Sequence, residues 1–159
     1  MVLSRTDLPG LALAVVICNA VGASPALLTA GTVETWYETI TQPALAPPNW
    51  VFGPVWTLLF TLLGVGVYLV LRDGSGRART LAVGLFVGQY AFNVAWTLVF
   101  FGDQNIAGGL AVILVLLALI AATLAAFWRV RKEAGLLLVP YLLWVAFATY
   151  LNYAFWVLN

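Results

Sequence analysis

Residues 58–102 read LLFTLLGVGVYLVLRDGSGRARTLAVGLFVGQYAFNVAWTLVFFG. Two apolar runs flank a short charged, glycine-rich segment, RDGSGRAR (72–79). Neither run holds Asp, Glu, Lys or Arg in its interior. The reading is two membrane-spanning helices joined by a water-facing turn.

Working outward, the pattern repeats. Apolar runs fall at about 8–30, 50–71, 80–101, 106–128 and 135–157, each 22 or 23 residues long. At about 1.5 Å per residue, such a run crosses a hydrocarbon core of roughly 30 Å. GDQN (102–105) marks a tight turn, and RVRKEA (129–134) a basic one. The first run also has features of a secretory signal, with Arg5 ahead of it and small residues near Ala23, but it continues past Pro25 to Ala30. Composition agrees with lipid as the solvent. The 159 residues are 64% hydrophobic and 8% charged, whereas a soluble domain carries about 25% charged residues. The expected fold is an all-α integral membrane protein, a five-transmembrane-helix bundle forming one domain over 1–159.

Charge sets the orientation. Five spans put the N-terminus and the 72–79 and 129–134 turns on one side. That side holds Arg5, Arg72, Arg77, Arg79, Arg129, Arg131 and Lys132, every basic residue in the chain. The other side holds Glu34, Glu38 and Asp103. By the positive-inside rule the N-terminus is expected in the cytoplasm and the C-terminus outside. One lysine against six arginines, with no presequence evident, points to a prokaryotic plasma membrane. A net charge of +1 gives no reason to expect nucleic acid as a partner.

Several chemistries are excluded by absence. The chain has no histidine, which removes the commonest general base and the usual haem and zinc ligand. Its one cysteine, Cys18, sits in an apolar run, where a packing role is expected. No catalytic or metal-binding residue is assigned. Ion pumps and proton-coupled transporters need intramembrane charges, and no span has one at its middle.

Neutral polarity and aromatic rings remain. Gln89, Asn93 and Thr97 recur every four residues on the third span, with Trp96 beside them. Tyr141, Trp144, Ala148 and Asn152 form a similar stripe on the fifth, and Phe52, Trp56 and Thr57 lie near Pro54 on the second. The stripe reads either as interhelical hydrogen bonding or, with rings beside small residues, as an apolar cavity for a flat ligand. The fourth span, nearly all Ala, Leu, Val and Ile, reads as lipid-facing. The connection 31–49 is long for a bundle. It reads as an interfacial anchor or as a lid over that cavity. Gly84 and Gly88, at i and i+4, allow close backbone approach within the bundle or across a dimer.

WYETITQPALAPPNWVFGPVWTLLFTLLGVGVYLV (36–70), GLFVGQYAFNVAWTLVFFG (84–102) and PYLLWVAFATYLNYAFWVLN (140–159) together resemble the translocator protein / tryptophan-rich sensory protein (TspO/MBR) family. They lie in the family's order and cover almost half the chain. The resemblance implies a five-helix bundle, commonly a homodimer, with a ligand cavity under the first loop. It implies no obligatory cofactor but a porphyrin or haem-like tetrapyrrole as ligand. Carried over by motif, Trp56 and Trp144 are the cavity tryptophans, lined further by Asn93, Trp96, Phe52, Ala148 and Leu151. Two departures stand out. Leu45 replaces a loop tryptophan common in the family, and Tyr153 is followed by AFWVLN, which lacks the basic residue of the sterol-recognition pattern. The functions to separate are sensing or reception of the ligand, its transport, and an enzyme-like oxidative or light-driven breakdown of it.

Overall fold

The computed structural model describes residues 4–159. The helices run α1 (Leu8–Thr32), α2 (Asn49–Asp73), α3 (Gly76–Thr97), α4 (Ile106–Val130), α5 (Lys132–Leu137) and α6 (Val139–Leu158). Among the described residues, five helical segments are long and apolar enough to cross a membrane. The chain is an integral membrane, all-α protein.

The breaks between spans are shorter than the charged stretches that mark them, because the helices run on into polar sequence. Between α2 and α3 only Gly74 and Ser75 are non-helical. A side chain at Gly74 would put its Cβ 2.6 Å from the Val70 carbonyl oxygen, so glycine is required there. The α3–α4 turn uses Gln104 at φ 54°. The Asn105 side chain then caps α4 by accepting from the Gly108 N–H at 2.7 Å. The fifth span is α5 and α6 in line. Pro140, which has no N–H to continue the ladder, sits in the first turn of α6 just after the interruption at Leu138.

Residues 31–49 differ most from the sequence reading. α1 does not stop near residue 30 but runs on through a wider π-helical turn, Val33–Tyr37. The resulting rod, Arg5–Tyr37, is longer than a bilayer needs. Its end carries Tyr37 inward over one end of the bundle, where the ring is buried.

The fourth span is lipid-facing on one side only, with Leu114 and Val115 exposed. α4 packs along α3, α5 and α6, burying Gly109, Ile113, Leu116, Ile120, Thr123 and Phe127 at alternating intervals of four and three residues. The first span instead buries the smallest share of its apolar window, 17% against 33% for the fourth. Lipid tails are as apolar as leucine, so a featureless apolar helix is equally at home in either place.

The helices that do meet are tied by neutral polar groups. Asn19 of α1 donates to Thr61 of α2 at 3.1 Å, and the Tyr90 hydroxyl of α3 donates to the carbonyl of buried Cys18. At the basic end, Asp7 accepts from the Tyr68 hydroxyl at 2.8 Å and faces Arg72 at 3.4 Å. Asp73 joins Arg72 to Arg131. This cluster clasps the start of α1, the end of α2 and the α4–α5 junction.

Candidate functional site

The site lies at the opposite end, where five chain segments converge. Phe52 comes from the first turn of α2, Trp96 from the end of α3, and Ala148 and Leu151 from the middle of α6. With Tyr37, Phe100, Phe101, Asn152 and Phe155 they surround a space of about 30 Å³. That is room for one water molecule, far below the 300 Å³ or more of a typical ligand pocket. The protein's own rings fill the volume. Phe100 stacks on Trp96 at 5.6 Å and meets Trp36 edge-on at 5.7 Å, and Tyr37 packs on Phe101 and on Phe155 at 5.4 Å each.

Local backbone explains why these rings meet. α3 ends in a second π-helical turn, Leu98–Gly102, closed by the Asp103 N–H donating to the Leu98 carbonyl at 2.8 Å. The wider turn leaves Phe100 over Trp96 while bringing Phe101 to its edge at 6.0 Å. Polar groups are satisfied at the rim. The Trp96 indole N–H donates to Asn152 Oδ1 at 3.0 Å, and Asn152 Nδ2 donates to the Ile106 carbonyl at 2.9 Å.

The segment 38–48 covers this end and is latched. The Thr41 N–H donates to Asn159 Oδ1 at 2.8 Å, and Asn159 Nδ2 donates back to the Thr41 carbonyl at 3.1 Å. The asparagine amide thus pairs with a backbone peptide as a second peptide would. Gln42 Nε2 donates to the Tyr37 carbonyl at 2.7 Å, occupying a helix-end acceptor. Beside the latch an open depression of about 670 Å³ is bounded by Asp103, Gln104, Trp156 and Asn159.

Of the residues singled out in the sequence, Phe52, Trp96, Ala148 and Leu151 come together around the space. Trp56, Trp144 and Asn93 stand behind it. Trp144 meets Phe52 edge-on at 6.1 Å, and its indole nitrogen is buried with no hydrogen-bond partner. Trp56 stacks on Phe60 at 5.3 Å and meets Tyr141 edge-on at 6.3 Å. Asn93 donates to the Tyr141 hydroxyl at 3.1 Å. The sequence reading missed Tyr37, Phe100, Phe101 and Phe155 as lining residues. Phe155 was accessible as the continuation of the Ala148–Asn152 face, and the two phenylalanines by their place beside Gly102. Tyr37 carried no periodic signal. Leu45, at the loop position where a tryptophan is common, is exposed.

Gly84 and Gly88 face outward. A Cβ built on either meets no atom within 4 Å, so they are not a contact within the bundle. The bundle's close helix contact uses Gly64 of α2, where a Cβ would lie 2.6 Å from the Val15 Cα of α1. Among the described residues no three His, Cys, Asp or Glu side chains gather as a metal site would require.

Comparison with known proteins places the chain. The sequence model of the TspO/MBR family matches residues 14–157. A tryptophan-rich protein TspO from Chlorobaculum tepidum is 42% identical over 150 residues, spanning 94% of this chain and 95% of its own length. The translocator protein of Homo sapiens is 42% identical over 123 residues, 76% of this chain and 73% of its own. A tryptophan-rich sensory protein from Cereibacter sphaeroides is 39% identical over 137 residues, 86% of this chain and 82% of its own. With a match that reaches into all five spans and both sides of the aromatic site, this chain belongs to the TspO/MBR family.

Proposed function

We propose that the protein is a receptor- or sensor-type membrane protein that binds a flat apolar ligand, a tetrapyrrole, between α2, α3 and α6 beneath the 38–48 segment. The observation that carries this reading is the convergence of rings and small side chains from five segments under a latched cover, in a bundle with no charge at mid-span. Relatives named tryptophan-rich sensory protein and translocator protein support it. Because the rings now fill the space, binding requires Tyr37 and the cover to move outward, with Trp56 and Trp144 turning to face the macrocycle.

Titration of the purified protein with protoporphyrin IX, followed by tryptophan fluorescence, tests this. Saturable quenching is expected below millimolar concentration, and its absence overturns the reading. Each stacked ring contributes on the order of 0.5–1.5 kcal/mol beyond area burial. Trp56→Phe or Trp144→Phe should therefore weaken binding by roughly 2- to 12-fold. Trp128→Phe, at a partly exposed ring far from the site, should leave affinity unchanged.

The same reading places the covered end outside a prokaryotic plasma membrane and the basic end in the cytoplasm. An impermeant thiol reagent on intact cells should label Glu38→Cys and spare Ser75→Cys, both at exposed positions. The reverse pattern inverts the orientation. The outward Gly84 and Gly88, with exposed Leu81 and Val87 beside them, support a homodimer formed through α3.

A further inference from the structure

A buried polar triad lies behind the aromatic site. Tyr141 and Gln89 are fully buried, and Asn93 is 2% exposed. The Tyr141 hydroxyl accepts from Asn93 Nδ2 at 3.1 Å and donates to Gln89 Oε1 at 2.8 Å. Gln89 therefore has its oxygen committed. Its amide nitrogen is left buried with no hydrogen-bond partner. Gln89 also stands midway along the span Gly76–Gly102, at the depth where an unpaired N–H has no water to turn to and is most costly.

The surroundings define what would satisfy it. An amide N–H is a neutral donor, and no Lys or Arg lies near the middle of any span. A carboxylate brought to this depth would pay its desolvation with no opposite charge to recover it. A carbonyl oxygen pays little and gains a hydrogen bond. Trp56, one of the two tryptophans of the tetrapyrrole reading, is half-buried and meets Tyr141 of the triad edge-on at 6.3 Å. A flat molecule that displaces this indole lands on Tyr141 and the triad.

We propose that Gln89 Nε2 is the specificity donor of the ligand site, selecting flat ligands whose inward edge carries a neutral carbonyl oxygen while charged substituents stay at the outer mouth. This rests on the tetrapyrrole reading above. Discrimination then comes from an orphaned donor that an analogue lacking the oxygen leaves unpaired.

A matched probe pair tests it: octaethylporphyrin and its oxochlorin, which bears a single ring ketone. The detergent-solubilised full chain should bind the ketone up to about tenfold tighter, as one net hydrogen bond allows. Gln89→Met should bring the ratio to about one. The bound ketone's infrared carbonyl stretch should shift to lower frequency in the wild type and not in the variant. Should Gln89→Met fold poorly, or the freed Tyr141 hydroxyl donate to the ketone in its place, Tyr141→Phe/Gln89→Met/Asn93→Leu removes the hydroxyl and both amides and carries the same expectation. Equal wild-type affinity for the two probes, or a preference that survives loss of the amide, overturns the proposal. Failure of the wild type to bind either probe overturns this proposal together with the tetrapyrrole reading, whereas equal binding of both leaves that reading standing.

Discussion

Gly64→Leu is expected to cost about 3 kcal/mol or more, the upper end for overpacking. The new Cβ would stand 2.6 Å from the Val15 Cα, 2.9 Å from the Val15 nitrogen and 3.0 Å from the Ala14 carbonyl oxygen. All three are backbone atoms, so no rotamer change relieves the clash and α1 must move off α2. The adjoining contacts allow no easy shift, since a Cβ at Gly10 would meet the Tyr68 ring at 2.8 Å and one at Gly22 the Phe60 ring at 2.5 Å. Gly88→Leu is the contrast. With open space around it, that variant should keep the thermal midpoint and shift the solubilised protein from dimer to monomer. Thermal unfolding with size-exclusion light scattering reads both. A stable Gly64→Leu variant would mean that α1 does not lie against α2 as described. An unchanged Gly88→Leu oligomer would remove α3 from the dimer contact.

Asn152→Leu should lower unfolding free energy in mixed detergent micelles by about 1–3 kcal/mol, the cost of an orphaned buried donor. The substitution keeps the branched shape of the side chain but leaves the Trp96 indole N–H without its acceptor and removes the tie from α6 to the start of α4. An interhelical hydrogen bond in a membrane averages only about 0.6 kcal/mol, so the magnitude discriminates. Adding Trp96→Phe to Asn152→Leu removes the orphaned donor as well, and the double variant should recover part of the loss. A loss at or below the average, with no recovery in the double variant, would show that the indole finds another acceptor.

Basic residues at turns, glycine-rich breaks and apolar runs of bilayer length were sufficient to locate five helices. The reason is solvation. Hydrocarbon admits no unpaired backbone N–H or C=O, so an apolar run of that length must be helical. The neutral stripe on α3 was legible for the same reason. Gln89, Asn93 and Trp96 share a face by period alone, and polar groups in a membrane turn toward the protein. Period could not tell which partner each would find. Asn93 went to Tyr141 and Trp96 to Asn152, because partners on other helices are set by how those helices cross.

By itself, then, the sequence determined the fold class, the family and the spans from which the site is built. Tertiary structure alone decided which faces of those spans meet. It gave α4 a buried face against α3, α5 and α6 and left α1 most open to lipid, a distinction invisible in side chains that are apolar on every face. It made Gly64, rather than Gly84 and Gly88, the close helix contact inside the bundle. It carried Tyr37 over the site through a π-helical turn and pinned the cover to Asn159. Each of these outcomes depends on packing between segments distant in the chain. Lipid, as apolar as the side chains it surrounds, has no preference among the alternatives.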